Sequence, residues 1–139
     1  MDLPRLRRRA PDVLAAIFAV SGVVHLVSPA VYESIVPRAL PAHRAIVYLS
    51  GVAELACAVG LVRRVPGAGV AAATLLVLVF PANVQMALDA GSGRHAGLAD
   101  DAVVAWARLP LQVPLMWMAL QADRPLGHLR RRVKARPLG

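Results

Sequence analysis

Six polar side chains interrupt long apolar stretches of this chain: His25, Glu54, Asn83, Gln85, Arg108 and Gln112. An imidazole, a carboxyl, a guanidinium and three amides are an unusual set to find in such surroundings. Together they can form an ion pair, carry a proton, or hold a carbonyl or phenol oxygen. Their spacing adds to this. Ser21 and His25, Ser50 and Glu54, and Arg108 and Gln112 each stand four residues apart, which puts each pair on one helix face. If the surroundings are a bilayer, a central Arg or Asp costs about 2.5–3.5 kcal/mol on insertion scales, so such groups face the protein interior and find partners there.

The surroundings do read as a bilayer. The chain has 139 residues, is 58% hydrophobic and only 17% charged, where a soluble domain is about 45–50% apolar and about 25% charged. Four apolar runs stand out: 13–28, 45–62, 68–88 and 103–120. Each approaches the ~17–25 residues that cross a hydrocarbon core at 1.5 Å per residue. The third shows no polar stripe of the kind a soluble amphipathic helix carries. Four such runs in one short chain leave too little amphipathic sequence to wrap them as a soluble core. The spacers hold turn residues: Pro29, Pro37 and Pro41, then "RRVPG", then "DAGSGRHAGLADD". The expected fold is all-α, a transmembrane four-helix bundle formed by a single domain over 1–139, with basic tails at 1–12 and 121–139.

The charge distribution sets an expected orientation. The net charge is +8, from 16 Lys+Arg against 8 Asp+Glu. With four spans, twelve basic residues share one side: Arg5, Arg7, Arg8 and Arg9, then Arg63 and Arg64, then Arg124, Arg130, Arg131, Arg132, Lys134 and Arg136. Three, Arg38, Arg44 and Arg94, fall on the other. Basic residues near span ends favour the cytoplasm, so both termini are expected there, with the protein multi-pass in the cell (inner) membrane. The basic tails then attract anionic lipid. Nucleic acid is set aside as a partner, because no folded basic domain with interleaved aromatics is present. A basic start followed by an apolar run is also the order of a signal peptide. Ser21 and His25 interrupt this one, and no small-x-small site follows, so it is read as the first span.

Measured from the end of each run on the less basic side, His25 lies about 4–5 Å deep, Asn83 and Arg108 about 7–8 Å, and Glu54 and Gln112 about 13–14 Å. All four spans therefore contribute polar groups to one half of the membrane, and the expectation is one shared cavity. Glu54 is too short and too deep to reach the interface, and Arg108 is its expected partner. Pro81, Pro110 and Pro114 release backbone carbonyls that Asn83 and Gln112 can bond. Gly51, Ala53, Ala56, Ala58 and Gly60 would allow a neighbouring helix to approach the second span closely. Each residue also has a plain structural reading: Arg108 as a snorkelling cation, His25 as a hydrogen-bonded packing residue, the amides as links between helices, and Cys57 as a small core residue. With Cys57 alone, neither a disulfide nor a cysteine metal cage is available, and no metal site is expected.

The pieces "SGVVHLVSP" (21–29), "YESIVPRALP" (32–41), "VYLSGVAE" (47–54), "FPANVQMAL" (80–88) and "ARLPLQVPL" (107–115) resemble, in order and spacing, the short bacterial DoxX-like membrane proteins. The resemblance implies a four-helix membrane protein with His25, Glu54, Asn83, Arg108 and Gln112 at motif positions. It also implies a link to quinone-dependent sulfur or thiol oxidation, with a quinone as cofactor and a membrane oxidoreductase as partner. A related branch works through cysteine pairs, which this chain lacks.

Three functions are compatible with these residues. One is an accessory subunit of a quinone-linked membrane redox system, not an enzyme on its own. Another is a structural membrane module without ligand. The third is a transporter or channel for a small molecule or proton, for which four short helices leave little room unless the protein forms a homo-oligomer. A quinone-sized apolar cavity beside Arg108 favours the first, and a polar path into the cytoplasmic half favours the third.

Overall fold

The structure, a computed structural model, describes residues 3–95 and 100–123. The basic residues from Arg124 to Arg136 and part of the Gly- and Asp-rich connection lie outside the described residues. Every element is helical: α1 (Leu3–Val27), α2 (Pro29–Glu33), α3 (His43–Val62), α4 (Ala68–Asp89) and α5 (Ala102–Gln121). The four long helices are each long and apolar enough to cross a membrane, so this is an all-α, multi-pass membrane protein. Their exteriors agree with that. Val20, Leu49, Leu78, Val103 and Val113 are exposed, while His25 and Glu54 are buried. This inverts the arrangement of a protein that faces water.

The helices are bounded by local chemistry. Asp101 caps α5, its side chain accepting from the Val104 amide at 3.0 Å. Helix α4 starts at Gly67 in the left-handed region (φ 83°), and its cap comes from the far end of α5. Asp123 accepts from the Gly67 amide at 3.1 Å and from the Val70 amide at 2.7 Å. At the end of α3, the Val65 amide bonds the Gly60 carbonyl and the Arg64 amide bonds the Leu61 carbonyl. This is a Schellman turn with Arg64, at φ 54°, in the place usually held by glycine. The Arg64 guanidinium reaches back to Asp12 on α1 at 2.8 Å.

Two boundaries differ from the sequence expectation. Helix α1 begins at Leu3, where the apolar run begins at Val13, because the exposed arginines before it are good helix formers and extend the helix outward. The Pro-punctuated connection contains a helical turn of its own, α2, which Pro29 opens at its first position.

In the bundle, α1 packs most extensively on α3 and α4 on α5. The ring is closed by α5 against α1 and α3 against α4. The α1–α3 contact is close because Gly22 faces Gly51. A methyl group at Gly22 would stand 2.8 Å from the Gly51 carbonyl, and one at Gly51 would stand 2.8 Å from His25 Cβ. Of the small residues expected to permit close approach, Gly51 makes this contact, Ala58 is buried and Gly60 lies near Ala68, while Ala56 faces outward. Two apolar cores result. The larger, at the end carrying both termini, joins Leu14, Phe18, Leu61, Ala72, Leu76 and Ala119. The smaller, at the opposite end, joins Ile35, Met86, Ala87 and Ala105.

Candidate functional site

A cavity of about 690 Å³ lies between these two cores. All four long helices line it, and the segment from Tyr32 to Leu40 contributes one wall. His25, Glu54, Asn83, Arg108 and Gln112, one or more from each long helix, all reach it. Of the six polar residues that interrupt the apolar stretches in the sequence reading, Gln85 lies elsewhere. It donates to Asp89 at 2.8 Å, four residues on.

The floor of the site is the His25–Glu54 pair. The Gly22–Gly51 contact draws the two antiparallel helices together at its level, with Gly51 against His25 Cβ, and His25 Nδ1 stands 3.6 Å from Glu54 Oε2. Nδ1 also lies 2.8 Å from the Ser21 carbonyl. A carbonyl only accepts, so Nδ1 carries the proton. The Tyr32 ring stacks on the imidazole at 3.7 Å between centroids. Burial pushes the Tyr32 phenol above its ordinary pKa. The Arg108 charge opposes that rise and the Glu54 charge adds to it.

Glu54 is only 6% exposed, yet its Oε2 has no hydrogen-bond partner among the described residues. Ser50 Oγ, one turn earlier on the same face of α3, is buried and unpartnered too. The expected Glu54–Arg108 ion pair is not formed: of the described cations, His25 stands within 4.0 Å of the carboxylate and Arg108 does not. The physical reason lies in the packing, because α5 packs on α4 and α1 rather than on α3, which carries Glu54. Arg108 is an exposed lining residue of the same cavity. Gln112 donates its amide to the Leu76 carbonyl, one residue before the carbonyl that Pro81 deprives of its partner. It ties α5 to α4 and borders the cavity. Asn83 lines the α4 wall, half-buried.

Sequence reasoning missed two features. Tyr32 was read only as part of a resemblance, although an aromatic seven residues after His25 across a Ser-Pro break has the chance to fold back on it. The second is Asp89, a buried hub at the end of α4. It accepts from Gln85 and from Arg94 at 2.9 Å, and Arg38 stands 3.6 Å away. The connection after α4 is further tied down where His95 Nδ1 meets Ser34 Oγ at 3.1 Å. These contacts hold the wall that contributes Tyr32, Ile35, Val36, Pro37 and Leu40 to the cavity. Among the described residues, no cluster of His, Cys, Asp and Glu is arranged to hold a metal ion.

The outer wall is not sealed. Ile17, Leu78 and Leu111 border the cavity and are 41%, 70% and 54% exposed, so it reaches the apolar surface of the bundle between helices.

The fold and the cavity define a class: a small polytopic membrane protein that encloses a mixed polar and apolar chamber open toward its lipid-facing side. Within that class, residues 14–123 match the model of the domain of unknown function DUF8561, and the chain belongs to that family. No curated protein and no solved structure matches the chain.

Proposed function

We propose that the cavity holds a lipid-soluble quinone and that the protein is a DoxX-like accessory subunit of a quinone-linked redox system, set in the cell membrane with both termini cytoplasmic. One observation carries this reading. A chamber of ligand size, about 690 Å³, has largely aliphatic walls on which a few polar groups converge around a buried carboxylate. The quinone itself comes from the resemblance of the motif segments to DoxX-like proteins. The fit is chemical. A quinone ring presents oxygens at opposite ends, and the cavity presents Glu54, Ser50 and His25 on one side with Arg108 and Asn83 on others. The prenyl tail leaves between helices into lipid, past Ile17, Leu78 or Leu111. The accessory role, with electrons supplied by a partner oxidoreductase, comes from the same resemblance; a thiol–disulfide route needs two cysteines, and Cys57 is the chain's single one.

A channel fits the geometry less well. The end where α1 begins and α5 ends is filled by Leu14, Phe18, Leu61 and Leu76, so no polar path crosses it among the described residues. A purely structural module fits less well again, since it gives no reason to leave Glu54 Oε2 and Ser50 Oγ unpartnered in an interior.

The test is to purify the tagged protein from its native membranes in mild detergent, extract it with organic solvent, and assay the extract for quinone. We expect near-stoichiometric quinone, lost when Val47, buried on the cavity wall, is replaced by Trp to fill the space. A quinone-free preparation that also fails to retain added decyl-quinone would contradict the reading.

A further inference from the structure

Glu54 Oε2 and Ser50 Oγ are the features the cavity leaves unsatisfied. Both are buried, both lie on one face of α3, and both residues line the chamber. The Glu54 side chain is 8% exposed, and the neighbouring His25 commits its Nδ1 proton to the Ser21 carbonyl at 2.8 Å. A buried oxygen without a donor is costly, so whatever fills the space gains most by bringing an O–H or N–H to it. Ser50 Oγ beside it can accept as well as donate. Donors stand elsewhere on the chamber wall. Arg108 makes no ion pair or hydrogen bond with any described residue, and Asn83 carries an amide.

From this distribution we infer that the site recognises the hydroxyl-bearing, reduced form of its ligand: a lipophilic hydroquinone or phenol whose O–H donates to Glu54 Oε2, with a second oxygen turned toward Arg108. The inference rests on the reading of the cavity as a quinone-type site and narrows it. With Glu54 ionised, a quinone carbonyl facing it sets two acceptors against one another and leaves Oε2 unsatisfied. A hydroquinone satisfies it with a charge-assisted hydrogen bond, the stronger kind. The aromatic face of the ligand has Phe18 and the stacked His25–Tyr32 rings beside it, since all three line the chamber. The discrimination is therefore placed at the α3 wall, on two residues four apart, and not at the arginine.

The experiment uses the full-length protein in lipid nanodiscs under anaerobic conditions, with decyl-hydroquinone and decyl-quinone as the two probes. Bound probe is quantified by extraction and chromatography after equilibrium dialysis. We expect the hydroquinone to bind at least about tenfold more tightly. Glu54→Gln, whose amide can donate to a carbonyl, should remove or reverse the preference. Ser50→Ala, a smaller change, should weaken hydroquinone binding several-fold and leave quinone binding within about twofold, so the inference stays testable should the glutamine variant not fold. Equal affinity of the two probes, or tighter binding of the quinone, would overturn the inference while leaving the cavity reading intact. Binding of neither probe would overturn both.

Discussion

Gly22 on α1 and Gly51 on α3 meet so closely that neither has room for a methyl group, and beside this contact His25, three residues after Gly22, stands 3.6 Å from Glu54, three residues after Gly51. The glycine contact thus sets the geometry of the polar floor. Substitution by alanine at either position forces the backbones apart, because each added methyl group meets the Gly51 carbonyl or the His25 Cβ at 2.8 Å. Gly22→Ala and Gly51→Ala should each destabilise by about 1–3 kcal/mol, the range of overpacked cores. Thermal unfolding in detergent measures this. Gly60→Ala, where the nearest atom is Ala68 Cβ at 3.3 Å, should cost distinctly less.

Asp123, just past the end of α5, supplies the N-terminal cap of α4 through the amides of Gly67 and Val70. It replaces the local cap that Gly67 cannot give. Asp123→Ala should cost about 0.5–2 kcal/mol, as for other lost caps, and Asp123→Asn, which retains one acceptor oxygen, should cost less. Equal losses in the two variants would show that the cap geometry is unimportant.

Asp89 gathers Gln85, Arg94 and Arg38 at the opposite end and so fastens the wall formed by the residues after α2. Asp89→Ala should loosen that wall before it affects the helices. Hydrogen exchange at residues 34–40 should rise about fivefold or more, the factor for about 1 kcal/mol, while exchange in the α1 segment around Leu14 stays unchanged.

The four long helices were legible from apolar run length, because a lipid-facing exterior leaves no polar stripe and marks each span along its whole length. That these polar residues border one cavity was also legible. The cost of a polar group facing lipid turns His25, Glu54, Asn83 and Gln112 inward, and inward from four helices is one place, which the exposed Arg108 also borders. What could not be read was the pairing. Depth along a helix gives a level but not an azimuth, so Glu54 was matched to Arg108 by charge, whereas Gly22 and Gly51 determine that α1, with His25, is its neighbour. The Asp89 hub escaped for a similar reason. Its partners Arg38 and Arg94 come from connections whose paths carry no periodicity, and they were counted only as orientation charges.

The proposed orientation rests on the same charges. With Cys57 replaced by Ala, single cysteines at Ala39, exposed between α2 and α3, and at Val65, exposed between α3 and α4, should be labelled by a membrane-impermeant maleimide from opposite faces, with Val65 on the cytoplasmic face. Labelling of both from one face would contradict the four-span arrangement.

The most direct measurement of the central claim, that the cavity is a site for a lipid-soluble quinone-type ligand, is photo-crosslinking in vesicles with a diazirine-bearing decyl-hydroquinone, mapped by mass spectrometry. The account predicts adducts concentrated on cavity-lining residues such as Val47, Ser50, Leu76 and Met118, suppressed by excess unlabelled decyl-hydroquinone. Adducts spread over the outward-facing Val52, Val59 and Val113, and insensitive to competitor, would contradict it.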